Sequence, residues 1–126
     1  MIRSTIDWRV YVILDPSALP DGASLEGVCR AALEGGAGVI QLRDKRSSTA
    51  RLVRIARGLA AICREHDARF IVNDRVDVAL AAGAHGVHLG PDDMTIADAR
   101  RVAPDLMLGG SAGTVERALE LVADGV

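Results

Sequence analysis

Aromatic side chains are nearly absent: Trp8, Tyr11 and Phe70 are the only three in 126 residues. The core must therefore be aliphatic, built from Val, Ile, Leu and Ala. A nucleic-acid reader usually carries a basic face interleaved with aromatics, and no such combination is present. The net charge of -2 gives no whole-protein field to attract a nucleic acid or a membrane surface. Cysteine is as scarce. Cys29 and Cys63 are far apart and form no C-x-x-C pair, so they read as small buried hydrophobes in a reducing compartment. No apolar run reaches the ~20 residues that span a bilayer, and the first residues lack the apolar stretch of a signal peptide. The expectation is a cytoplasmic protein. No G-x-G-x-x-G follows the first apolar run, which weakens a dinucleotide-binding reading.

What is present is alternation. Arg9–Leu14, Gly38–Leu42, Arg69–Val72, Gly86–Leu89 and Leu106–Leu108 read as five short strands. Between and after them lie helical segments opened by Ser24, Ser47–Thr49, Thr95 and Thr114 as caps. A shorter helix spans Val76–Ala82 and is ended by Gly83. In the longest helix Leu52, Ala56, Leu59 and Cys63 repeat at helical spacing, with Arg51, Arg54, Arg57 and Arg64 mostly off that stripe on a solvated outer face. In the last helix Val115, Ala118, Leu119 and Val122 form one apolar stripe.

A weak internal repeat marks the helix-to-strand joints. Glu34-Gly35-Gly36-Ala37-Gly38-Val39, Ala81-Ala82-Gly83-Ala84-His85-Gly86-Val87 and Val122-Ala123-Asp124-Gly125-Val126 are variations on one theme. Five strand–helix units of this size extrapolate to a (β/α)8 TIM barrel of about 200 residues. The expectation is one α/β domain over residues 1–126, an incomplete barrel that stops at the start of a sixth strand. A doubly wound open sheet is the alternative. Such a fragment would expose two sheet edges and apolar helix faces, and would be marginally stable or associate.

Each strand runs into residues capable of chemistry. Parallel strands put all their C-terminal ends on one side of the sheet, where the active sites of α/β folds gather. Asp74 and Asp93 follow neighbouring strands and can converge on one ion, with Asp92 an adjacent candidate. Hard oxygen ligands completed by phosphate oxygens describe Mg2+. The competing reading makes Asp92 or Asp93 a helix cap. Arg43 and Lys45 share parity and could grip a diphosphate, or form surface salt bridges with Asp44 or Asp15. Gln41 shares that parity and faces inward, where a buried amide needs a polar partner. Recognition of a heterocyclic ring fits it. Asn73 is either a ligand or a turn former. Ser111 follows Gly109-Gly110 and precedes a helix, a ready anion site that is also an ordinary loop. His88 lies within a strand and reads as a hydrogen-bonded core residue rather than a base. His66 and His85 look peripheral.

Tyr11, the run Gln41-Leu42-Arg43-Asp44-Lys45, Val72-Asn73-Asp74, the run from Gly86 to Asp93 and Gly110-Ser111-Ala112 together resemble the thiamine phosphate synthase family in order and spacing along nearly the whole chain. The resemblance implies a (β/α)8 barrel that joins a pyrimidine diphosphate to a thiazole phosphate, releasing diphosphate. It implies substrate-binding roles for Tyr11, Gln41, Arg43, Lys45, Asn73 and Ser111. Arg43 and Lys45 would also be catalytic, and Asp74 and Asp93 would bind Mg2+. The family's thiazole-phosphate site lies largely on later strands, which these residues do not include, and Gly113 stands where many relatives carry a larger residue. Two other readings remain. Thiazole tautomerase-like relatives tend to lose the metal-binding Asp and the strand-two Lys, so Asp74 and Lys45 argue against that one. A non-catalytic barrel fragment could bind a phosphorylated ligand, or associate through its open sheet edge as a homo-oligomer or with another chain.

Overall fold

Five strands pair in parallel in the order in which they occur along the chain. The computed structural model describes residues 5–126. The elements are β1 (Tyr11–Leu14), α1 (Leu25–Glu34), β2 (Val39–Leu42), α2 (Thr49–Glu65), β3 (Arg69–Asn73), α3 (Val76–Ala82), β4 (Gly86–Leu89), α4 (Ile96–Val102), β5 (Met107–Gly110) and α5 (Val115–Asp124). A 3-10 turn at Pro16–Ala18 follows β1. Ser24, Ser48, Thr95 and Thr114 cap their helices by accepting from the backbone N–H three residues on.

The registers fix which residues share a face. Tyr11 pairs with Val39, Val39 with Arg69, Ile71 with Gly86 and Gly86 with Met107. Alternate residues point to opposite sides of a sheet. Ile40, Leu42, Phe70, Val72, Val87, Leu89 and Leu108 therefore face the helices, and all are buried in one core with Leu52, Ala56, Leu59 and Cys63 of α2. Each large aliphatic or aromatic side chain fully removed from water there contributes about 1.5–3 kcal/mol. Helices α1, α2 and α3 lie side by side over this face. Arg57 and Arg64 of α2 lock α3 in place by donating to the carbonyls of Ala81 and Gly83.

The other face carries Tyr11, Ile13, Val39, Gln41, Ile71, Asn73, His88 and Gly109. It is only partly covered: Ile13 is 54% exposed, and Trp8, itself exposed, stacks on Tyr11 with ring centroids 6.4 Å apart. The repeated joint has a shared geometry. Gly36, Gly83 and Gly125 all take positive φ, at 107°, 70° and 111°, a conformation that side-chain-bearing residues resist.

Three expectations change. The first ladder starts at Tyr11 rather than Arg9, because Asp7 holds both the backbone N–H and the guanidinium of Arg9 in a local bend. The fifth strand is shifted to Met107–Gly110, because the Leu106 N–H is spent on the Ala103 carbonyl in the turn before it. The apolar stripe of α5 is not core. Val115, Leu119 and Val122 are 72%, 65% and 63% exposed, and Leu121 is the buried residue instead, packed over Gly110. The exposed row is the open apolar helix face expected of a sheet with two free edges.

Candidate functional site

The turn after β3 is the centre of the site. Asp74 adopts φ 67°, the left-handed region, and Arg75 N–H closes a three-residue turn onto the Asn73 carbonyl at 2.8 Å. A three-residue turn with positive φ is rare and strained, and costs of order 1–3 kcal/mol in a residue other than glycine. The turn is pinned to its neighbour by Asp74 N–H, which donates to the His88 carbonyl at 2.8 Å. Its effect is to aim the Asp74 carboxylate at the ends of β2 and β4.

Two groups meet that carboxylate. Lys45 Nζ is 3.2 Å from Asp74 Oδ2. Asp93 lies within hydrogen-bonding reach of Asp74, and its carboxyl is held above the usual range, first by burial and then by the neighbouring carboxylate. Gly90 N–H donates to Asp93 Oδ2 at 2.7 Å, so Asp93 closes the turn after β4. It does not cap α4, which Thr95 does. Asp92 is exposed in the same turn.

Arg43 and Lys45 do not act on one partner. Arg43 Nη1 is 2.7 Å from Asp15 Oδ2, while Lys45 turns to Asp74. Asp15 itself is fixed by Ser17, whose hydroxyl and N–H both donate to its Oδ1 and, with Arg43, hold its carboxyl below the usual range. Gln41 is 4% exposed, and its Nε2 donates to Tyr11 Oη at 2.7 Å. That is the polar partner a buried amide requires, and it leaves the amide oxygen of Gln41 free of it. Burial raises the Tyr11 hydroxyl pKa, and the bond to Gln41 opposes that rise. His88 Nε2 is 2.9 Å from Ser111 Oγ.

A cleft of about 270 Å3 is lined by Arg43, Lys45, Asn73, Asp74, His88, Asp93 and Ser111, among others. A second opening of about 330 Å3 adjoins it and adds Tyr11, Ile13 and Gln41. All eight sequence-predicted residues thus border one continuous region at the C-terminal ends of the strands. A larger cleft, about 690 Å3, lies on the far side of Arg43 and Lys45. Both its carboxylates are occupied from within: Asp44 accepts from the N–H groups of Arg46 and Ser47, and Asp15 from Ser17 and Arg43. The sequence reading missed the left-handed turn at Asp74 and the link from His88 to Ser111. The signal for the second was Gly109, the empty position beside His88.

Fold and site together define an α/β protein with a carboxylate pair and a set of cations, amides and a hydroxyl at the ends of parallel strands. A family model described as thiamine monophosphate synthase matches residues 10–126. The chain belongs to that family. It is 48% identical over 115 residues to a thiamine-phosphate synthase of Methanospirillum hungatei, covering 90% of this chain and 55% of that protein. A thiamine-phosphate synthase of Chloroflexus aurantiacus is 46% identical over 124 residues, covering 98% and 57%. The solved structure of a thiamine phosphate pyrophosphorylase from Pyrococcus furiosus superposes with a TM-score of 0.86 at 44% identity, covering 93% of this chain and 56% of that one. The chain spans about half the length of the relatives it matches.

Proposed function

We propose that these residues form the pyrimidine-diphosphate half of a thiamine phosphate synthase, a transferase that joins an aminopyrimidine methyl diphosphate to a thiazole phosphate and releases diphosphate. The observation that carries this reading is the meeting of Lys45, Asp74 and Asp93 at the ends of three successive strands, beside Asn73 and Ser111 in one cleft. The names of the relatives support the reaction class. The sequential parallel sheet supports reading the chain as a single domain forming about five units of a (β/α)8 barrel.

The carboxylate pair fits a divalent cation. Two like charges in contact, one already harder to ionise than usual, are relieved by a positive ion between them. Among the described residues no group of three or more His, Cys, Asp or Glu is placed to hold a metal ion by itself. Asp74 and Asp93 would therefore hold Mg2+ together with phosphate oxygens and water, as that ion prefers. When bound, Mg2+ neutralises charge that develops on the departing diphosphate.

The chain's own groups do the rest. Lys45 leaves Asp74 for a phosphate oxygen, and Arg43 supplies a second positive charge from the rim. Both strengthen their hold as the C–O bond breaks and charge collects on the leaving group. Ser111 and Asn73 donate to the same oxygens. Gln41, its amide oriented by Tyr11, meets the pyrimidine edge. The thiazole nitrogen then attacks a carbon with carbocation character, and little acid–base chemistry is required. We further propose a cytoplasmic location and association through the open sheet edges and the exposed apolar face of α5. Among the described residues no helix is long and apolar enough to cross a membrane. Calorimetric titration of the chain with the aminopyrimidine diphosphate, with and without Mg2+, tests the reading. Diphosphate binding that requires Mg2+ supports it. A chain that binds neither diphosphate nor Mg2+ overturns it.

A further inference from the structure

His88 occupies the middle of the face opposite the helices, paired in register with Asn73 on one side and Gly109 on the other. Its ring leans across β5 and reaches Ser111, two residues past Gly109, at 2.9 Å. Gly109 is what makes room: a methyl group there would sit 2.8 Å from His88 Nδ1. Ser111 is anchored by its N–H on the Leu89 carbonyl at 3.1 Å, and among the described residues His88 is the partner of its hydroxyl.

That hydrogen bond can run either way, and the two directions differ in consequence. If Ser111 O–H donates to the ring, Ser111 presents only lone pairs to an incoming anion. If Nε2–H donates to Ser111 Oγ, the hydroxyl proton is free for a phosphate oxygen. Among the described residues no acceptor is recorded for His88 Nδ1, so a proton placed there would have no protein acceptor, whereas one on Nε2 has Ser111.

We propose that His88 is a positioning residue. Its ring, carrying a proton on Nε2, holds Ser111 Oγ as an acceptor and so commits the Ser111 hydroxyl proton to the diphosphate. The inference deepens the proposed function and rests on its placing of diphosphate at Ser111.

Two measurements test it. Long-range 15N–1H correlation spectra of the ligand-free chain, with the His88 signals assigned by their loss in His88→Gln, are expected to show the Nε2–H tautomer. An Nδ1–H tautomer overturns the proposal. Calorimetric titration with inorganic diphosphate and Mg2+ then compares four chains. His88→Leu is expected to bind about fivefold more weakly, the worth of the one neutral hydrogen bond that orients the Ser111 hydroxyl. In a Ser111→Ala background the same change is expected to cost nothing further, because His88 acts through Ser111. His88→Gln, which keeps an N–H at a similar reach, is expected to recover most of the affinity. Additive losses, or no recovery with Gln, overturn the role given to His88. A wild-type chain that binds no diphosphate overturns the reading of the whole site instead.

Discussion

Lys45 Nζ stands 3.2 Å from Asp74 Oδ2 and so ties the end of β2 to the end of β3. The lysine side chain is 57% exposed, and ion pairs in that setting are worth about 0–1 kcal/mol. The pair is therefore easily exchanged. It keeps two opposite charges in place without committing either, and a diphosphate with its counter-ion can take both.

Lys45→Ala should weaken diphosphate binding, and by more at low salt than at high salt. A screened point charge behaves this way, with a Debye length of about 10 Å at 0.1 M ionic strength. Calorimetric titration at two salt concentrations reads it. A loss independent of salt would assign Lys45 to packing.

Tyr11→Phe should cost stability. The change removes the acceptor of a Gln41 amide that is 4% exposed, and a buried donor left unpaired costs about 1–3 kcal/mol. Urea unfolding measures this through the shift in midpoint. An unchanged midpoint would mean that Gln41 finds water instead.

Asp15→Asn should destabilise the chain at neutral pH and much less in acid. The folded state holds the Asp15 carboxyl below its ordinary value of 3.8, through Ser17 first and Arg43 after it. Its contribution is present above that value and is lost as the pH falls through the lower folded one. Melting temperatures at neutral pH and below pH 3.8 check the sign. Equal effects of the substitution at both would contradict it.

Much of this was legible in the sequence, for reasons particular to each element. The cap residues Ser24, Ser48, Thr95 and Thr114 announce helices locally, because the cap bond closes within three residues. The inward placing of Gln41 followed from period two alone. The split of Arg43 to Asp15 and Lys45 to Asp74 did not, since parity gives a face but not a partner. The turn at Asp74 was hidden because residues other than glycine rarely take positive φ, and the backbone bond to His88 that holds it joins residues 14 positions apart. The α5 stripe was read correctly as apolar, but whether a stripe is covered depends on what packs against it, which periodicity does not encode.

Leu119→Glu should reduce self-association with little effect on the fold. Leu119 lies in the exposed row of α5, where glutamate is a good helix former and surface changes usually move stability by less than about 0.5 kcal/mol. Sedimentation velocity across a concentration series reads the outcome. A wild-type chain that stays monomeric throughout would contradict association through this face.

The most direct test of the central claim is the thermal shift of the chain with the aminopyrimidine diphosphate, with and without Mg2+, in the wild type and in Asp74→Asn. Asparagine keeps the size of the side chain and both backbone bonds of the turn while removing the charge, so the variant should fold. At ligand one hundred times Kd, binding adds about 2.7 kcal/mol of stability. The account predicts a Mg2+-dependent rise in Tm for the wild type, abolished by Asp74→Asn. A wild-type chain that melts cooperatively and shows no Mg2+-dependent rise would contradict it.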